Sequence, residues 1–136
     1  SLITDETSTG EEISIIITKI EPEIKAVINP SSVQFDISVS VVASLSGFQG
    51  TATTKVIKES VIKQMEKEIR HTYAKGLEID ADVYRFSEVL YRKHKREWKK
   101  HEENGKIKLD EKSLRNVHIH ITKVNAGRKK FDDNMR

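Results

Sequence analysis

His118 and His120 stand two residues apart where apolar and polar residues alternate, so both imidazoles project from one face of a strand. Two imidazoles can share a metal ion. Zinc sites, however, take three or four protein ligands, and a chain without cysteine supplies no thiolate. A solvated strand face is the plainer reading. His71, His94 and His101 fall on predicted helices without the His-Glu-x-x-His spacing of a helical metal site. Asp80 and Asp82 form a carboxylate pair that can divide acid and base work. At the start of a helix, capping explains both more simply. Ser60 and Ser87 fall mid-helix with no base at a marked spacing. The chain has no Gly-x-Ser-x-Gly, no phosphate loop and no Gly-x-Gly-x-x-Gly. No catalytic, metal or cofactor-binding residue is expected, and the chain is not read as an enzyme.

The basic run over 85–100 is the feature that invites a binding function. It holds seven Lys and Arg against two Glu, a surplus of five on a chain whose formal net charge is +3. The rest of the chain is therefore slightly acidic, and the positive charge is local. Such a run is an ordinary solvated face, or it meets a partner protein, an anionic lipid surface or a phosphate backbone. Nucleic acid is not expected, because no nucleic-acid motif accompanies the charge and aromatics make up only 6% of the chain. Arg92, Lys93, Lys95, Arg96, Lys99 and Lys100 are the candidate contact residues. Trp98, Phe86 and Asp82 are the expected structural anchors, with Trp98 largely buried and Trp98→Ala costing about 3–5 kcal/mol in consequence.

The elements that position these residues follow from periodicity. Residues 12–20 and 23–28 read as strands separated by Glu21-Pro22. Asn29-Pro30-Ser31-Ser32 is a turn. Val33, Phe35, Ile37, Val39, Val41, Ala43 and Leu45 then alternate with mostly polar residues, the pattern of a strand with one face on a core. A helix follows, with candidate N-caps at Thr51, Thr53 and Thr54. Its apolar stripe is Ile57, Val61, Met65, Ile69 and Tyr73, and Gly76 suits its left-handed C-terminal position. A second long helix starts after Asp80 or Asp82, buries Phe86, Val89, Leu90 and Trp98, and closes at Glu102-Glu103-Asn104-Gly105. Val117, Ile119 and Ile121 mark a last strand.

The expected fold is α+β: a mostly antiparallel sheet of about four strands, without parallel βαβ units, and two main long helices packed on one face. Residues 1–10 read as a linker or frayed lead-in, 11–127 as a single domain and 128–136 as a polar tail. A length of 136 residues is about one domain. The chain starts at Ser1 without an initiator Met or signal peptide, and is expected to be part of something longer. No apolar run approaches the roughly 20 residues of a membrane-spanning helix.

Three segments carry a family resemblance: Asp82-Val83-Tyr84-Arg85-Phe86, then Tyr91-Arg92-Lys93-His94-Lys95-Arg96-Glu97-Trp98-Lys99-Lys100, then Val117-His118-Ile119-His120-Ile121. In order and spacing, over residues 11–127, the chain resembles the C-terminal domain of GerAC-type spore germination lipoproteins, the C subunits of nutrient germinant receptors. It departs from them in having His94-Lys95-Arg96 where a proline often precedes the Trp, and Arg85 where a Gly often stands. The resemblance implies a non-catalytic domain of a three-domain lipoprotein, acting by protein contacts during germination. It also implies anchorage through a lipidated Cys outside this chain, on the outer face of the inner spore membrane, beside two integral-membrane subunits. The alternative is a general anion- or lipid-surface-binding domain that uses the basic helix 85–100.

Overall fold

The computed structural model describes residues 2–6, 12–48 and 53–125, with side chains placed for 15–44 and 53–123. Thr51 and the tail 128–136 lie outside the described residues. The elements are β1 (Leu2–Glu6), β2 (Glu12–Ile28), β3 (Val33–Phe48), α1 (Thr54–Glu78), α2 (Phe86–Lys93), α3 (Lys95–His101), β4 (Glu102–Glu103), β5 (Lys106–Ile107) and β6 (Leu114–Asn125). Four strands form one sheet in the order β1-β2-β3-β6, and β4 and β5 form a small second sheet. The fold is α+β, as the alternating and helical periods require.

The sheet is antiparallel across its first three strands. β1 pairs antiparallel with β2 from Leu2 opposite Ile16 to Glu6 opposite Glu12. β2 turns back into β3 through Asn29–Ser32, where the Asn29 N–H donates to the Ser32 carbonyl at 2.9 Å; so short a connection allows only an antiparallel return. β6 is the exception. The Phe35 N–H donates to the Ser113 carbonyl, Arg115 pairs with Asp36, and Thr122 donates to the Val41 carbonyl. Both strands ascend together, so β6 lies parallel to β3. The intervening helices and hairpin supply the crossover that a parallel pair needs.

The parallel β3–β6 crossover departs from the expected sheet without parallel βαβ units, and three further details differ from the sequence reading. Residues 2–6 are a strand, where a lead-in was expected; five residues are too few to show a period. Glu21-Pro22 does not divide β2. β1 reaches only to Ile16, so Pro22 lies on a stretch with β3 as its one sheet neighbour among the described residues. There a missing N–H is tolerated. The second long helix is two short ones, broken at His94 (φ −139, ψ 58). A continuous helix would set Arg92 beside Lys95 and Arg96, and Lys93 beside Arg96, and like charges at those spacings repel.

The chain divides into two compact units. One gathers the described residues of Ser1–Pro22, Val39–Lys67 and Ile119–Arg136. Its buried residues are Ile15, Ile17, Val39, Val41, Ala43, Ile57, Val61, Met65, Ile119 and Ile121. Thr53 caps α1: its hydroxyl accepts from the Val56 N–H at 3.3 Å and its carbonyl from the Ile57 N–H at 3.0 Å.

The other unit comprises Glu23–Ser38 and Glu68–His118. Its centre is aromatic. Phe35 and Phe86, both fully buried, stack with centroids 4.4 Å apart, and Tyr73 and Tyr84 lie 5.6 and 6.1 Å from Phe86. Both phenols are satisfied, Tyr73 donating to the Asp110 carbonyl at 2.8 Å and Tyr84 to the Ile69 carbonyl at 3.0 Å. Burial pushes both phenol pKa values up. On the sheet, Arg115 grips Asp36 through two hydrogen bonds of 3.0 and 2.6 Å, and the Asn116 N–H adds a third. The Arg115 guanidinium is the main reason the Asp36 carboxyl sits below its usual value of 3.8, against the opposing pull of partial burial.

A carboxyl depressed in the folded state contributes stability above its unfolded pKa and loses it as pH falls through the folded pKa. Stability should therefore fall with acid below about pH 3.8, and Asp36→Asn should make that acid limb shallower in urea melts across pH. Phe86→Ala should cost about 3–5 kcal/mol by equilibrium unfolding, the range for an aromatic removed from a packed core.

Candidate partner-contact surface

The surface is built on the turn between α1 and α2. Gly76 is not the left-handed residue; that role falls to Asp80 (φ 54). The Ala81 N–H donates to the Gly76 carbonyl at 2.8 Å and the Asp80 N–H to the Leu77 carbonyl at 3.1 Å. These are the paired bonds of a Schellman motif. Gly76 is required for another reason. A Cβ there would lie 2.7 Å from Val83 Cγ1 and 2.9 Å from the Ala81 carbonyl oxygen.

Asp82 then starts α2. Its Oδ1 accepts from the Phe86 N–H and its Oδ2 from the Ser87 N–H, both at 2.8 Å. A full negative charge thus meets the positive end of the helix. Asp80 does not share this duty; its Oδ2 pairs with Lys106 Nζ at 2.8 Å, which holds its pKa below the usual value. Arg85 takes the position before the helix with φ 57. α2 buries Phe86, Val89 and Leu90, whereas α3 buries no residue. Glu102 and Glu103 do not close a helix. They form β4, joined to β5 by Asn104 (φ 54) and Gly105 (φ 83), the positive pair of a two-residue hairpin turn. Ser87 binds β5, accepting from the Ile107 N–H at 3.1 Å.

Trp98 is half-buried, not part of the core. It meets Tyr91 edge-to-face with centroids 4.9 Å apart, and Lys95 Nζ lies 5.3 Å from the Tyr91 ring centroid. Tyr91 is 44% exposed. An open groove of about 510 Å³ runs here, lined by Asp82, Arg85, Ser87, Glu88, Tyr91, Trp98 and Gly105. Glu88 lies between Arg85 at 3.9 Å and Arg92 at 3.8 Å, and Glu97 is 3.4 Å from Lys100. Arg92, Lys93, Lys95, Arg96, Lys99 and Lys100 are all exposed. Lys93, Arg96 and Lys99 have no ion-pair partner among the described residues.

The structure leaves His118 and His120 exposed on β6. No group of three or more His, Asp or Glu side chains among the described residues is placed to hold a metal. No helix among them is long and apolar enough to cross a membrane. The sequence reading missed Tyr91 as part of the surface, and it placed Arg85 in the basic run without naming it a candidate contact. Their signal was weak: an arginine and a tyrosine in a stretch read as helix.

Fold and surface together define an α+β domain that displays a basic, aromatic-lined helix pair. Residues 2–125 match the family described as spore germination B3/GerAC-like, C-terminal, and the chain belongs to that family, as a domain of the germinant-receptor C-subunit class. The fold also matches a solved structure described as the crystal structure of the GerBC protein. The TM-score is 0.66 at 20% identity, over 91% of this chain and 40% of that chain. This chain thus spans less than half the length of that one. No curated protein matches it.

Two outcomes check this geometry. Trp98→Ala should cost less than Phe86→Ala, because the pairing with Tyr91 adds only about 0.5–1.5 kcal/mol to the burial of a half-open side chain, and so unfold at a higher urea midpoint than Phe86→Ala. Gly76→Ala should cost about 1–3 kcal/mol by overpacking, although alanine is the better helix former.

Proposed function

We propose that this domain works without catalysis, making protein contacts within a nutrient germinant receptor. Its parent lipoprotein is held by a lipid anchor outside this chain, on the outer face of the inner spore membrane. Its partners are the two integral-membrane subunits of the receptor. The observation that carries this reading is the family match over residues 2–125. The location of the contacts rests on the charge. The candidate residues Arg92, Lys93, Lys95, Arg96, Lys99 and Lys100 are exposed on α2 and α3. Together with Arg85 they carry the chain's basic surplus. Trp98, Phe86 and Asp82 hold that surface in place, the first beside Tyr91 and the other two at the start of α2.

The lipid-surface reading uses the same charges differently. It requires them to be interchangeable, with binding that weakens steeply as salt rises. It also calls for an apolar helix face that enters the headgroup region. α2 turns Phe86, Val89 and Leu90 inward and leaves Tyr91 exposed, and Trp98 is the one apolar residue of α3.

The receptor reading is tested in spores by reversing Lys93, Arg96 and Lys99 to Glu in the full-length lipoprotein. The protein should accumulate normally, while its recovery with the membrane subunits and the nutrient-triggered germination rate both fall. Unchanged recovery and germination would count against contacts through this surface.

A further inference from the structure

The groove between α2 and α3 has features that a merely solvated helix pair lacks. Its wall is an edge-to-face Tyr91–Trp98 pair, held half-open to solvent. Arg85 lines it and Arg92 lies beside it across Glu88, their side chains 80% and 65% exposed. Both lie nearly 4 Å from Glu88, beyond hydrogen-bonding distance, so one carboxylate holds two guanidinium groups loosely. Their N–H forks stay open to a further carboxylate. Lys95 adds a third cation beside the Tyr91 ring. Asp82, the other acid in the lining, is committed to the α2 N–H groups. A volume of about 510 Å³ admits one or two side chains of a partner. Tyr, Trp and Arg are also the residue types that dominate binding energy at protein contacts.

We propose that this groove is a docking site for an extended acidic segment of a partner protein. An aromatic or aliphatic side chain of the segment lies against Tyr91 and Trp98, and flanking carboxylates pair with Arg85, Arg92 and Lys95. Charge complementarity selects this occupant. The surplus of five positive charges over 85–100 repels a basic segment, and the aromatic wall gives an acidic one an apolar anchor. A membrane surface fits less well, because the exposed aromatic pair lines a concave groove and does not stand out as a protruding face. The inference rests on the contact-module reading and names the chemistry of its partner.

Trp98 is the chain's single tryptophan, so its emission reports on this groove alone. The test titrates the protein with a synthetic peptide of Asp and Glu around a central Phe. Two other probes are the same peptide with Ser replacing Phe, and phosphatidylglycerol-containing vesicles. The Phe peptide should saturably shift Trp98 emission. Arg85→Glu combined with Arg92→Glu should weaken it roughly tenfold or more, as for loss of a hot-spot contact, at unchanged far-UV dichroism. Tyr91→Ser should do the same. Reversal of Lys63 and Lys67 on α1 should leave binding intact. Equal binding of the Ser peptide would show charge attraction alone and overturn the proposal. So would a shift by the vesicles that the Phe peptide fails to displace, or no binding of the Phe peptide at all. Because this measurement uses only the protein and a peptide, its failure is separate from that of the receptor reading, which is decided in spores.

Discussion

The Asp82 carboxylate, shared between the Phe86 and Ser87 N–H groups, is the interaction on which the turn into α2 and the surface beyond it depend. The chain must leave α1 and enter α2 within seven residues, and it does so with two side-chain-bearing residues at positive φ, Asp80 and Arg85. Left-handed backbone costs roughly 1–2 kcal/mol for each such residue. Two hydrogen bonds to a charged acceptor return about 1.5–3 kcal/mol each, and burying Phe86 adds about 1.5–3 kcal/mol. The turn is thus stable as a unit and strained in its parts. It needs both Asp82 hydrogen bonds and the Phe35–Phe86 stack intact.

Packing on that turn decides what α2 can offer. Phe86, Val89 and Leu90 are spent inward, so what remains outward is Glu88, Tyr91 and a set of cations. α3 has no core contact of its own to hold it. Its position comes from the Trp98 N–H bond to the His94 carbonyl, from Trp98 against Tyr91, and from the hairpin that follows it. The result is a firmly seated helix beside a lightly held one, with an aromatic groove and a positive rim. No group of three or more His, Asp or Glu side chains placed to hold a metal accompanies this geometry among the described residues. What it offers is shape, charge and an apolar wall, the means by which a surface recognises another chain.

The sequence carried the periodic parts well. The odd positions 35–43 are all buried, and so are Ile57, Val61, Met65 and Tyr73, because a period of two or of about four marks one face whatever the tertiary context. Features set by distant partners were not legible. Nothing local tells β6 to run parallel to β3; the direction comes from the crossover. β1 is too short to show a period, and β2 stays whole past Pro22 because its edge there asks little of the N–H. Gly76 read as a left-handed cap, yet its role is the approach of Ala81 and Val83. The Asn104-Gly105 hairpin was legible as a dipeptide signal, but the charged helix before it masked it. For the surface, the exposure of the basic side chains followed from their charge. The meeting of Tyr91 with Trp98, and of Arg85 with Arg92 over Glu88, depends on the break at His94, which no proline or glycine announces.

The role proposed for this domain is to contribute contacts that assemble a receptor. It is tested by co-purification of the proposed parent lipoprotein with the two membrane subunits proposed as its partners, before and after removal of residues 11–127. Removal should abolish recovery of the subunits and leave the remainder in the membrane fraction. Undiminished recovery, together with undiminished nutrient-triggered germination, would contradict it.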